Sequence, residues 1–525
     1  MAGIKIQKNY ISTNINTNTV ANNWMALVFG VTSRGPTKPT LVQDYQTFLD
    51  LYGQPVSGAP THPYMRFVLE NGVPILFKRV IDSSKITKAS HTYIAADTST
   101  TNICTISANT NYAGKDGNKI SIQFSFTSTN YLIFTIKYDS KVVETFNLGY
   151  TSEVTFNNDT TKTLMYAFLS KASKQTVSNY VDFKLLINNE DFSKLELDTS
   201  AMENSYNLEG GTEPDNTVTS AIDMLKDETS EIYTDTKLLQ AITYFPQLRF
   251  CTTGGLIAPY SGEIGKPTYD NSAHEKILEN LGKFATNCKS TFRVLIDYGV
   301  EMTDIETVRN FARTISGKGE VNTSIYAFFG WWGSDSYNNF IPGSAGFLTA
   351  LISAGYNVYS RRMAGTSFSP AFNKPYEEEY IDVVQNWQLE NTIQANPIVI
   401  VDAADNLAIM GSSTLAMPLG VLSARNPQQA LDIVCVSDYV AAILHGIALN
   451  NLEAPLDRLL LSAMSNTIRV ELDKFVSSTA ITRYDLKFDT TQLGKLGIEC
   501  ILYFAIGLEE VSITVTSVYD TEIFA

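Results

Sequence analysis

Strands and helices alternate along this chain, stop alternating, and start again. The apolar run MALVFGV from Met25 reads as a buried strand, TFLDLYG as a short helix stopped by Gly53, YMRFVLENG as a second helix and PILFKRVI as the next strand. Between about Ala89 and Leu208, Thr, Ser and Asn become frequent and the apolar period falls to two, as in ISIQFSF and YLIFTIKYD. Alternation then resumes through SAIDMLKDE, LRFCTTGG, AHEKILENLGKFA, FRVLIDYG, DIETVRNFARTIS, SIYAFFGWW, SAGFLTALISAG and PIVIV. Strand and helix alternation builds a mostly parallel sheet covered by helices, whereas period-2 runs build antiparallel sheets with one buried face. The sequence therefore predicts a multi-domain α/β protein. Its core is discontinuous, from residues 23–88 and 209–420, and a β-rich domain of residues 89–208 is inserted into it.

The flanks differ from both. After Pro427 the segments QQALDIVCVSDYVAAILHGIALN and APLDRLLLSAMSNTIRVELDKFVSS read as helices, and ITRYDLKFD and IECILYFAIG as strands, giving an α+β domain over residues 421–510. Residues 1–22 are polar and rich in Asn, with isolated apolar residues at Ile4, Ile6, Ile11, Ile15 and Val20, too sparse to bury a core. They read as an extended arm. Residues 511–525 form a second arm whose VSITVTSV alternates from Val511 to Val515. A chain of 525 residues is long enough for several such domains.

Charge separates the two ends. No Asp or Glu precedes Asp44, while Lys5, Lys8, Arg34 and Lys38 do; after Lys495 come Glu499, Glu509, Glu510, Asp520 and Glu522 with no Lys or Arg. The net charge of −15, without a concentrated basic cluster, argues against a nucleic-acid partner. Cys104, Cys251, Cys288, Cys435 and Cys500 are odd in number and far apart, the pattern of reduced core cysteines. MAGIKIQKNY lacks the apolar segment of a signal peptide, and the longest apolar run, CILYFAIGL, is strand-sized, so membrane insertion is not expected.

Candidate chemistry is sparse. VFGVTSRGP resembles the start of a phosphate-binding loop, but Gly35 is followed by Pro36 and Thr37 where Lys and Ser or Thr are needed, so a strand ending in a turn is the expectation. His62, His91, His274 and His445 show no ligand spacing. Asp297 and Asp402 end strands as a magnesium-holding aspartate would, yet lack an upstream phosphate-loop lysine, and read as turn residues. Ser344 in PGSAG lacks nucleophile-elbow spacing and has no partner that the sequence justifies. GKDGN reads as a hairpin turn and Trp331 with Trp332 as a core or subunit contact. No catalytic, cofactor-binding or metal-ligating residue is assigned.

Several segments together carry a resemblance: GVTSRGPTKPTLVQDYQTFLDLYG, FVLENGVPILFKRVI, NYAGKDGNKISI, LEGGTEP, IPGSAGFLTALIS, the GSSTLA after IVIVDAADNLAIM, and LGIECILYFAIGLEEVSITVTS. In this order they resemble the contractile bacteriophage tail sheath proteins. The chain departs from the family at IYAFFGWWGSDSYNNFIPGSAG, where members tend to carry a proline–tryptophan segment before a VPPS-like one. The resemblance implies a non-enzymatic subunit that polymerises with its own copies as stacked rings, a helical sheath around a tail tube protein. Contraction of that sheath drives the tube through a cell envelope. It further implies a core of subtilisin-like topology without a protease triad, an outward insert, and a C-terminal domain beside the tube. Terminator and baseplate proteins would be further partners, with assembly in the host cytoplasm and residence in the virion tail. A phage-derived injector and, more remotely, a hydrolytic enzyme are the alternatives.

The residues themselves point to subunit linkage by strand addition. The N-terminal arm offers Ile4, Ile6, Ile11 and Ile15 beside Lys5 and Lys8; the C-terminal arm offers Val511, Ile513 and Val515 beside Glu509, Glu510 and Asp520. Opposite charge on two alternating segments favours their meeting in one sheet.

Overall fold

The computed structural model describes residues 23–96, 101–128, 131–149, 159–214, 216–256, 271–288, 292–297, 326–329, 332–337, 339–353, 355, 357–359, 400–403, 406–409, 431–451, 458–490 and 496–504. By internal contacts the chain divides into one unit of Met1–Val358 with Arg362–Ala442 and a second of Tyr359–Arg361 with Ile443–Ala525.

The first unit begins with β1 (Met25–Gly30), whose six residues are all buried, as a strand covered on both faces must be. After β2 (Thr40–Val42), Asp44 accepts hydrogen bonds from the backbone and hydroxyl of Thr47 at 2.7 Å each, capping α1 (Tyr45–Tyr52). Gly53, at φ 79°, ends that helix. Then come α2 (Thr61–Glu70) and β3 (Ile75–Arg79).

The next strands leave this sheet. β4 (Ser90–Ile94), β5 (Asn102–Ala108), β6 (Ile120–Ser128), β7 (Tyr131–Tyr138), β8 (Lys141–Gly149), β9 (Val181–Leu185) and β10 (Tyr206–Asn207) form two antiparallel sheets, ordered β4-β5-β9 and β10-β6-β7-β8. On β6 the apolar Ile120, Ile122 and Phe124 are buried and the intervening Ser121 and Gln123 are not, so the period-2 pattern does set which face turns inward. Helix α3 (Thr160–Lys174) contributes Met165, Phe168 and Leu169 to the same core, where Phe134 packs edge-on against Phe183 at 5.4 Å.

The chain then rejoins the first sheet through α4 (Val218–Lys226), β11 (Leu248–Thr252), α5 (Asn271–Asn287), β12 (Arg293–Asp297) and β13 (Tyr326–Phe329). The order is β13-β12-β11-β1-β3-β2, parallel except for the antiparallel edge strand β2. β14 (Trp332–Ser334) pairs with β15 (Phe340–Pro342) and leads into α6 (Gly343–Ser353). β16 (Ile400–Ala403) pairs antiparallel with β17 (Asn406–Ile409).

Helix α7 (Leu431–Leu449) corrects the expectation that no stretch approaches a membrane span: Leu431–Ala448 is long and apolar enough by length and composition. Within the first unit, however, its Leu431, Cys435, Val436 and Val440 are buried, Tyr439 packs edge-on against Trp24 at 5.8 Å, and Asp438 pairs with the buried Arg293 of β12. Those are the contacts of a core helix.

The second unit contains α8 (Arg458–Ser477), β18 (Arg483–Asp489) and β19 (Gly497–Tyr503). Met464, Ile468, Leu472 and Phe475 recur at helical spacing along the buried face of α8. β18 and β19 pair antiparallel, with Tyr484 opposite Leu502, Leu486 opposite Cys500 and Phe488 opposite Ile498.

Candidate functional site

Three segments that are far apart in sequence meet at the junction of the two β systems. The loop after β1 carries Arg34, whose Nη1 donates to Asp116 Oδ2 at 3.2 Å and whose Nη2 donates to the Asp50 carbonyl at 2.8 Å. Arg79, at the end of β3 and fully buried, donates to the carbonyls of Thr32 and Gly35 and to Glu213 Oε2 at 3.1, 3.3 and 3.2 Å. VTSRG, GKDGN and GGTEP are thus brought together through opposite charges. Lys78, the residue before Arg79, points to the other face and pairs with Asp235 at 2.6 Å. GKDGN is not the expected hairpin turn but a 3₁₀ segment, Lys115–Lys119, that buries Asp116 and Gly117. The carboxyl of Asp116 is pushed up by burial, but hydrogen bonds from Lys119 and Tyr138 and the charge of Arg34 outweigh that and hold it below the ordinary aspartate value. Arg34, Arg79, Asp116 and Glu213 are thus each answered by a protein group of opposite charge.

A second polar cluster lies at the carboxyl ends of the parallel strands. Ser344 Oγ donates to Asp297 Oδ2 at 2.6 Å and its backbone N–H donates to Asp297 Oδ1 at 2.8 Å, so the aspartate that ends β12 caps the first turn of α6. Thr252 Oγ1 donates to the same carboxylate at 3.3 Å, and the hydroxyl of Tyr64 lies 3.5 Å from Ser344 Oγ. Burial pushes the Asp297 carboxyl up to about 6, against these hydrogen bonds. Asp297 and Ser344, each read as lacking a partner, are therefore partners of one another. Ser344 is wholly buried and its hydroxyl is held by the carboxylate, so an incoming carbonyl has no approach to it.

The remaining candidates are dispersed. His62 is buried, with Nδ1 3.3 Å from the Tyr45 hydroxyl, and burial pushes it down to about 4. His91 stacks on Tyr206 with centroids 4.2 Å apart. His274 is buried in α5 and pushed down to about 3 by that burial, while His445 is half-buried in α7. Among the described residues no group of His, Cys, Asp and Glu is placed to hold a metal ion. Cys104, Cys251, Cys288 and Cys435 are buried and unpaired, and Cys500 is half-buried. Asp402 lies in the β16–β17 hairpin opposite Leu407, and Trp332 in β14 opposite Pro342. Trp331 and all the arm residues, Ile4, Lys5, Ile6, Lys8, Ile11 and Ile15 at one end and Glu509, Glu510, Val511, Ile513, Val515 and Asp520 at the other, lie outside the described residues.

In the second unit β18 and β19 pair only with each other among the described residues. Tyr484, Leu486 and Phe488 share one face with Leu502, Cys500 and Ile498, yet all six are only half-buried. A two-stranded sheet of this kind is marginal alone, and a further strand on an outer edge would stabilise it.

The sequence signals missed Arg34, Arg79, Asp116 and Glu213. A trace was present for two of them: Arg34 precedes Gly35 and Asp116 precedes Gly117, each in a turn-rich segment.

No family model and no curated protein matches the chain. Among solved structures, the sheath tail protein of Listeria innocua superposes with a TM-score of 0.51 at 12% identity, over 93% of this chain and 98% of that one. The sheath tail protein of Desulfitobacterium hafniense gives a TM-score of 0.44 at 10% identity over 92% and 97%. The sheath complex of an extracellular contractile injection system in its contracted state gives 0.36 at 11% identity over 50% and 78%. Over nearly its whole length, and with its α/β class as the sequence indicates, the chain has the fold of the Listeria innocua sheath tail protein.

Proposed function

We propose that this chain is the structural subunit of a contractile tail sheath, polymerising as stacked rings around an inner tail tube and contracting to drive that tube through a host envelope. The observation that carries the reading is the shared fold, which spans 93% of this chain and 98% of the sheath tail protein it matches. The β18–β19 sheet, two-stranded among the described residues, supports it, because a sheet that gains from another strand suits a polymer better than a solitary globule. The enclosed Ser344–Asp297 pair, engaged as a helix cap, supports a non-enzymatic role.

In this reading the arms of residues 1–22 and 511–525 link neighbouring copies by strand addition. Such a link of roughly four or five backbone hydrogen bonds at about 0.5–1.5 kcal/mol each holds with several kcal/mol while the bodies it joins rotate. An arm reaching a neighbour is a heterologous contact, which propagates into rings and helices. Residues 89–208 form an inserted domain, residues 23–88 with 209–420 the core, and residues 421–510 the assembly domain. The partners are further copies of the chain, a tail tube protein, and terminator and baseplate proteins. The place of residence is the virion tail.

The reading is tested by deleting residues 1–20 and, separately, by Ile513→Pro, which removes a ladder donor. Sedimentation velocity is expected to give a folded monomer from each variant and large polymers from the intact chain. Polymers from both variants would overturn the linkage.

A further inference from the structure

The junction of core and insert holds more than the two strands that connect them require. The entry and exit segments pair with each other where Thr87 bridges Thr212 and Ser90 bridges Glu209. Beside these connections the Arg34 guanidinium lies over the rings of both Tyr112 and Tyr138, at 4.8 and 5.1 Å from their centroids. Tyr138 donates its hydroxyl to Asp116 Oδ2 at 2.5 Å, so the ring that flanks the cation also fixes the anion. Asn118 closes the other side, accepting from Gly211 N–H and donating to Gly211 C=O at 2.9 Å each. The backbones approach so closely that a Cβ on Gly211 would stand 2.3 Å from the Gly114 carbonyl oxygen.

We propose that Arg34, clasped between Tyr112 and Tyr138 and paired with Asp116, is a latch that fixes the angle of the β-rich insert on the core sheet, so that a displacement of the insert is passed to the β1 and β3 end of that sheet. Two connecting strands alone form a hinge; a cation reaching across the hinge from the core and held on three sides removes that freedom. Arg79 anchors the core half, because it ties the Arg34 loop to the exit segment through Thr32, Gly35 and Glu213. Arginine is required for this arrangement, since its plane stacks on the rings while its edge donates to the carboxylate.

The test measures the distance between core and insert in the full chain. Spin labels are placed at Gln54→Cys beside the core helix α1 and at Val142→Cys on the exposed insert strand β8, in a Cys500→Ser background and diluted with unlabelled chain. Pulsed dipolar spectroscopy is expected to give one narrow distance distribution for the parent. Arg34→Ala is expected to widen it at least twofold while the circular dichroism spectrum stays the same. An unchanged narrow distribution in folded Arg34→Ala overturns the latch. So does equal widening in Arg66→Ala, whose ion pair with Glu70 is confined to α2. If Arg34→Ala fails to fold, Asp116→Asn, which keeps the side-chain volume, decides by the same two outcomes.

Discussion

At Asp297 burial opposes hydrogen bonding, and the balance sets a pH dependence. With its carboxyl pushed up to about 6, above the roughly 3.9 of an unfolded aspartate, the native state binds this proton more tightly than the unfolded state does. The stability from that proton is fully present below about pH 4 and lost as pH rises through 6. Asp297→Asn should therefore remove a fall in melting temperature between pH 4 and pH 7 that the parent shows, as differential scanning calorimetry at both pH values would register. Ser344→Ala deprives the buried carboxylate of its 2.6 Å donor and should cost about 1–3 kcal/mol in denaturant unfolding, with no loss of any hydrolytic activity. Sequence alone made Asp297 and Ser344 unpartnered residues because the contact joins positions 47 apart that no local pattern links. The same holds for Arg34 and Asp116, which are 82 apart. Local chemistry did give the turn after Gly30 and the missing phosphate-loop lysine; it had no means of giving the residue across the turn.

At the scale of elements, period and punctuation were the legible signals. MALVFGV, PILFKRV and LRFCT are buried strands of one sheet because continuous apolar runs have no solvent face to offer. TFLDLYG ends where Gly53 takes a positive φ that other residues resist. A short apolar run does not say which strand it pairs with, and Ile400–Ala403 pairs with the closely following Asn406–Ile409. GKDGN was misjudged because its glycines serve close packing as well as turning. That distinction is testable at two adjacent glycines. Gly210, at φ 79° with open space around its would-be Cβ, should accept Ala at about 1 kcal/mol, the cost of a left-handed conformation. Gly211→Ala drives a methyl group into the Gly114 carbonyl and should cost about 1–3 kcal/mol by thermal unfolding. Equal costs at the two positions would show that backbone conformation, and not the close approach, governs the junction.

For the whole molecule, the sequence carried the α/β class and the electrostatic opposition of the two ends, while the order of strands in the sheet came only from the fold. Long-range order is invisible to local pattern because β1 lies between β3 and β11, strands on either side of the intervening β4–β10 segment. The arm charges should tune assembly more than hold it. Exposed ion pairs contribute about 0–1 kcal/mol each, so Lys5→Glu with Lys8→Glu should slow polymer growth and reduce its salt dependence without abolishing it, as light scattering would follow. If the intact chain is a polymerising sheath subunit, negative-stain electron microscopy of the purified protein will show hollow tubes of uniform diameter built from stacked rings; dispersed monomers persisting at high concentration would contradict that role.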